Sequence, residues 1–184
     1  MLGRSAIVVL LTFALAGTWP AQADSFVTGL AAYERGDYLR AARELEPAVQ
    51  QGDPRAEALL GYLYDNGLGR PQAYIAAADL YTRAAEHGYP PAQYLLGLLY
   101  DKGHGVPQDV VLAYMWLDLA AAGASKRDRD TVSRLRSAVA SKMTKAEIAK
   151  AQWLALNWAP KPPVEKLLNA APRPRVGEFQ WIAR

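Results

Sequence analysis

The chain has 184 residues, 51% of them hydrophobic and 21% charged, with 21 basic against 18 acidic side chains and a net charge of +3. Such a composition excludes a wholly disordered chain. A single continuous apolar run, at the N-terminus, excludes a polytopic membrane protein. The absence of cysteine excludes a disulfide framework, a thiolate metal site and a cysteine nucleophile.

Residues 1–23 read as an address. Arg4 supplies one positive charge, Ser5 to Ala16 form an apolar core, and Ala21-Gln22-Ala23 is a small-x-small site. This order defines a secretory signal peptide, and the apolar run is short of the roughly 20 residues that cross a bilayer. Cleavage is expected after Ala23, leaving Asp24 as the mature N-terminus and a periplasmic or secreted protein. No cysteine follows the apolar core, so a lipoprotein anchor is not expected.

Residues 24–123 repeat themselves. Asp53 to Gln72 align with Tyr89 to Gln108 at an offset of 36: Leu59-Leu60-Gly61 meets Leu95-Leu96-Gly97, Leu63-Tyr64-Asp65 meets Leu99-Tyr100-Asp101, and Pro71-Gln72 meets Pro107-Gln108. The same offset aligns Ala41, Ala77 and Ala113, then Leu45, Tyr81 and Leu117, then Ala48, Ala84 and Ala120. A first unit beginning near Phe26 has a shorter turn, Tyr33 to Asp37. Each unit reads as two helices. Asp53-Pro54 is a cap followed by proline at the first helical position. Ala56, Leu59, Leu60, Leu63 and Tyr64 form an apolar stripe, and Gly67 and Gly69 end the helix. The second helix carries Ala77, Leu80, Tyr81 and Ala84 and stops at Gly88. Gly61 and Gly97 each cost about 1 kcal/mol inside a helix, so their recurrence predicts a close backbone approach.

A period in the thirties built from helix pairs defines a helical solenoid. Ala92, Leu96-Gly97, Tyr100, Gly103, Gly105-Val106, Asp109, Ala113, Trp116 and Ala120-Ala121 resemble, position by position, the Sel-one-like repeat, a relative of the tetratricopeptide repeat. The likeness covers roughly Phe26 to Trp158; the middle unit departs from it at Arg70, Ala73 and Leu80. It implies an all-α, right-handed α/α solenoid of about three to four helix-turn-helix repeats with C-terminal capping helices, Trp116 in the core between units, and first helices lining a concave surface.

Residues 124–158 are expected to form the capping helices. Val132, Leu135 and Val139 make one stripe, and Thr144-Lys145-Ala146-Glu147 is a capping box opening a last helix. Ile148, Ala151, Leu154 or Ala155, and Trp158 share one face of it. Residues 159–184 read as a proline-rich tail whose Phe179, Trp181 and Ile182 are expected to pack back on the solenoid.

No catalytic constellation emerges. His87 and His104 lie in turns without ligand-spaced neighbours and read as solvated. No serine elbow or phosphate loop exists, so no metal or cofactor is expected. Asp65 and Asp101 recur near turns and are explained by turn hydrogen bonding. A helical wheel of the second unit's first helix places Arg55, Ala58 and Tyr62 opposite the apolar stripe, with Pro91, Tyr94 and Leu98 in the next unit. Arg55, Tyr62, Tyr94 and Leu98 are therefore the candidate protein-binding residues, tyrosine being favoured at interfaces. The resemblance implies a non-enzymatic adaptor for a protein or peptide in the bacterial envelope, with roles in envelope assembly, exopolysaccharide or signalling control, or host contact. An alternative is a peptidoglycan- or β-lactam-directed enzyme or binder, chemistry linked to cysteine-rich relatives. Another is a peripheral membrane-surface protein acting through its basic C-terminal region. Nucleic acid is not an expected partner. The mild net charge hides a segregation that could orient a partner: residues 24–123 carry 7 basic against 13 acidic side chains, and residues 124–184 carry 13 against 5.

Overall fold

The computed structural model describes residues 24–161. The expected signal peptide, residues 1–23, and the tail from residue 162, with Phe179, Trp181 and Ile182, lie outside the described residues. Eight α-helices and no strand occur among the described residues: α1 (Ser25–Glu34), α2 (Tyr38–Gln50), α3 (Pro54–Asn66), α4 (Tyr74–Glu86), α5 (Pro90–Lys102), α6 (Val110–Gly123), α7 (Lys126–Ala140) and α8 (Lys145–Leu156). Their starts follow local chemistry. The side chains of Asp24, Asp37, Asp53, Asp109 and Ser125 accept the free amides of the first turns of α1, α2, α3, α6 and α7. Proline opens α3 and α5. Thr144 and Glu147 close a reciprocal capping box on α8.

Helices α1–α2, α3–α4 and α5–α6 pair as three hairpins, and α2 on α3 and α4 on α5 join one hairpin to the next. α1 also touches α3, and α3 touches α5, whereas the second helices make no comparable contact with one another. The first helices therefore lie on the inner, tighter side of the stack. Helices α7 and α8 do not add a fourth hairpin: both pack on α6 and hardly touch each other. They cover the open end of the last unit, as a solenoid end requires.

Within each hairpin a glycine of the first helix lets the second helix approach closely. A Cβ built on Gly61 would lie 2.7 Å from the Tyr81 ring, one on Gly97 would lie 2.9 Å from Leu117 Cγ, and one on Gly29 would lie 2.6 Å from Leu45 Cγ. Leu45, Tyr81 and Leu117 are the equivalent residues of the three second helices, and all are fully buried. The first glycine, Gly29, escapes the 36-residue alignment because the α1–α2 turn is four residues shorter, so the first helix is related to α3 by 32 residues instead.

Between hairpins the second glycine of each long turn is decisive. Gly69 has φ 69° and presses on α2, where a Cβ would lie 2.5 Å from Leu39 N. Gly105 has φ 71° and presses in the same way on the Tyr74–Ile75 backbone of α4. The recurring glutamine that follows closes the turn. Gln72 Nε2 donates to the Asp65 carbonyl at 2.6 Å and Gln108 Nε2 to the Asp101 carbonyl at 2.7 Å. Uncapped carbonyls at two helix ends thereby gain donors.

The apolar core forms three overlapping clusters along the stack. Trp116 lies in the central one, and the Trp158 ring meets it edge to face at 5.9 Å. Trp158 stands beyond the end of α8, and the chain after it turns back along the stack. Pro160 and Trp158 cover Gly88, and the Lys161 amide donates to the Glu86 carbonyl at 2.8 Å.

Gly69→Ala and Gly105→Ala should each destabilise the protein by about 2–4 kcal/mol, combining left-handed strain with overlap on a neighbouring backbone. Gly36 has φ 78°, but its surroundings are open, with nothing within 4 Å of the place a Cβ would take. Gly36→Ala should therefore cost only about 1 kcal/mol. Urea unfolding midpoints of the three variants check this difference.

Candidate protein-binding face

The inner helices carry a row of half-buried side chains. Leu30 on α1, Tyr62 on α3 and Leu98 on α5 occupy equivalent positions, and each is partly exposed. Tyr94, one turn before Leu98, is also half-buried and bridges the central and C-terminal clusters. Tyr62 packs on both the N-terminal and central clusters. Its ring meets Tyr33 edge to face at 6.1 Å, and Tyr33 lies 5.6 Å from Tyr38. These rings form an aromatic patch at the N-terminal end of the row. Burial raises the pKa of Tyr62 and of Tyr94, so both hydroxyls stay protonated at neutral pH.

Two residues that the helical wheel sets on this face are buried. Ala58 is 0% exposed inside the central cluster, and Pro91 is fully buried. A wheel drawn for one helix takes every residue opposite the stripe as facing solvent. In a stack that side meets the neighbouring unit. Arg55 is spoken for within the molecule. Its guanidinium holds Asp53 at 2.6 Å and Asp24 at 3.4 Å and lies 4.4 Å over the Phe26 ring. Burial works against its charge, but Asp53 and Asp24 outweigh burial and raise its pKa. Arg55 thus clamps the start of α1 to the start of α3 beside the tyrosine row.

The recurring aspartates join units. Lys142 Nζ, from the segment between α7 and α8, pairs with both Asp101 carboxylate oxygens at 2.7 and 2.8 Å. Burial raises the pKa of Asp65, opposed by Lys102 and His104 of the next unit and by the Tyr81 hydroxyl. It is thus their backbone carbonyls that serve the turns, through Gln72 and Gln108, while their carboxylates face cations further along the stack. The two turn histidines are less solvated than their position implies. His104 stacks on Tyr74 at 4.5 Å between ring centroids, and His87 Nδ1 is buried. Among the described residues no group of three or more His, Asp or Glu is arranged to hold a metal ion.

A second polar contact varies between units. Gln93 is buried and its Nε2 donates to the Ala85 carbonyl at 3.3 Å. The equivalent residues one unit earlier are Glu57 and Val49. An ionised carboxylate has no hydrogen to donate, and Arg83 bridges the gap. Its guanidinium holds Glu57 Oε1 at 2.5 Å and donates to the Val49 carbonyl at 3.2 Å. Glu57 Oε2 is left buried without a partner. Burial pushes the Glu57 carboxyl up to about 7, although Arg83 pulls it down.

Tandem, glycine-jointed helix pairs with their first helices on the inner side define an α/α-repeat solenoid. The Sel1 repeat profile matches residues 54–89 and 90–125, which are the α3–α4 and α5–α6 units. The chain thus carries two Sel1 repeats, a repeat class that generally serves as a scaffold for protein–protein interaction. The α1–α2 hairpin lies outside the matched spans. Among solved structures, the chain is similar to c5321, described as a protective antigen of uropathogenic Escherichia coli strains displaying an SLR fold. The TM-score is 0.68 and the identity 24%, over 83% of this chain and 33% of that one. It is also similar to a Sel1 repeat protein from Oxalobacter formigenes, with a TM-score of 0.58 and 30% identity over 73% of this chain and 56% of that one. The chain therefore spans about a third and just over half of these two relatives. No curated protein matches it in sequence.

The Glu57 contact makes stability depend on pH. With a carboxyl pKa near 4.5 unfolded and about 7 folded, the native state keeps a proton that the unfolded chain has released. Stability should fall as pH rises from about 4.5 to about 7, by up to roughly 3.5 kcal/mol at about 1.4 kcal/mol per unit of pKa difference. Glu57→Gln, which restores the arrangement of Gln93, should be at least as stable as wild type at pH 8 and should lose this fall. Chemical unfolding of both proteins between pH 5 and pH 8 measures the difference in slope.

Proposed function

We propose that the protein is an exported adaptor of the bacterial periplasm that binds a protein or peptide along the inner face of its first helices. The observation that supports this reading is the recurrence of half-exposed Tyr62, Tyr94 and Leu98 on consecutive inner helices, extended by Leu30 on α1. Rigid aromatic and apolar side chains at a fixed spacing can take up an extended or helical segment with little loss of conformational freedom. Arg55 borders this face as a clamp. Acidic excess in residues 24–123 favours a partner with basic flanks. The Sel1 repeats support the scaffold role; the N-terminal basic, apolar and small-x-small order supports export.

A photocrosslinking residue at position 62 or 98 should capture the partner in cells, whereas one at Ile75, exposed on an outer helix, should not. Tyr62→Ala/Tyr94→Ala should weaken capture from position 98 by about tenfold or more, as removal of interface tyrosines does. Equal capture from all three positions, or full capture by a folded double variant, would overturn the assignment of this face. The mature protein recovered from the periplasmic fraction should begin at Asp24.

A further inference from the structure

Helix α8 turns one apolar face away from the protein. Ala151 is fully buried in the C-terminal cluster where α8 packs on α6, and Ile148, Leu154 and Ala155 pack on the cores on the same side. On the opposite side Trp153 is 62% and Leu156 85% exposed. At about 100° per residue, Ala146 and Ala149 share the arc of these two side chains, and Lys145 and Lys150 stand on its two margins. All four are exposed. Glu147, the one acidic residue of α8, lies off this arc, and its carboxylate is tied to Thr144 by the capping box. Residues 124–161 together carry 9 basic against 3 acidic side chains.

We propose that this face of α8 rests on the surface of an anionic phospholipid bilayer, with Trp153 and Leu156 entering the boundary between headgroups and acyl chains. This pattern is that of an interfacial helix, with an apolar stripe holding tryptophan and lysines on its flanks. No helix among the described residues is long and apolar enough to cross a membrane, so the contact is peripheral. Charge sets the occupant. A second copy laid on this face would oppose Lys145 and Lys150 to their own equivalents, with no carboxylate on the arc to pair them. The chain's own residues 162–184 hold 4 basic against 2 acidic side chains and carry the same sign. Anionic headgroups supply the opposite one. The face is a single convex helix with two large apolar side chains. Such a face suits a bilayer, where each apolar insertion and each lysine adds to attraction.

The test is co-sedimentation of protein beginning at Asp24, which retains all eight helices. Vesicles of pure phosphatidylcholine are compared with vesicles holding roughly 30% phosphatidylglycerol. Wild type should sediment with the anionic vesicles only, and should be released between about 50 and about 500 mM salt. Trp153→Ala/Leu156→Ala and Lys145→Glu/Lys150→Glu should each lower the partition coefficient by about tenfold or more, while Ile75→Ala matches wild type. Circular dichroism verifies that each variant keeps its helices. No sedimentation of wild type, or equal sedimentation of the folded Trp153→Ala/Leu156→Ala variant, would overturn the proposal. So would a concentration-dependent dimer abolished by that variant, which would assign the face to a second copy. Retention of an acidic protein by a chain that ignores anionic vesicles would assign it to a protein partner and also overturn the proposal.

Discussion

In every hairpin a glycine on the inner helix lies against a large, fully buried side chain of the outer helix: Gly29 on Leu45, Gly61 on Tyr81 and Gly97 on Leu117. A methyl group at any of the three would fall within 3 Å of that side chain. The glycine sets the spacing of the two helices, and that spacing determines which residues can reach the next unit. Mid-helix glycine is intrinsically unfavourable by about 1 kcal/mol, and burial of a leucine or tyrosine side chain outweighs that cost. Alanines at 41, 77 and 113 and at 48, 84 and 120 fill the remaining narrow gaps, and all are buried. A chain without disulfides is held by this repeated, shallow interdigitation.

Stacking depends on a second set of small residues and on charge. Gly69 and Gly105 bring each long turn onto the backbone of the preceding outer helix. Arg55 ties α1 to α3, and Lys142 ties the capping region to α5 through Asp101. The more exposed of these pairs contribute little each, and their consequence lies in register. They align the inner helices so that Leu30, Tyr62 and Leu98 fall in one row. The adaptor reading and the proposed bilayer contact occupy different parts of the molecule. The inner row faces along the curve of the stack, and the exposed arc of α8 lies on the cap. A partner and a membrane surface could therefore be engaged together.

Much of this was legible in the sequence. The 36-residue offset, the aspartate and proline caps, the capping box at Thr144 and the close approaches at Gly61 and Gly97 all follow from contiguous patterns. The first inner glycine, Gly29, and the first member of the inner row, Leu30, were hidden only by the shorter turn after α1. A shift of 32 residues instead of 36 would have aligned them. The burial of Ala58 and Pro91 was not legible, because a wheel has no knowledge of neighbouring units. The docked face of α8 was legible: Ile148, Ala151, Leu154, Ala155 and Trp158 pack on the cores as their spacing predicts, which leaves Trp153 and Leu156 facing outward.

The sequence by itself determined that the chain is a stack of glycine-jointed helix pairs, since periodicity, caps and turn glycines are properties of neighbouring residues. The tertiary structure alone decided how those pairs meet. Glu57 is bridged by Arg83 to Val49, where Gln93 needs no bridge to reach Ala85. Lys142 finds Asp101 across 41 residues, and Lys161 finds Glu86 across 75. Two caps that could have formed a fourth hairpin instead both settle on α6. Contacts of that reach are set by the angle and spacing between whole helices, which no local pattern encodes.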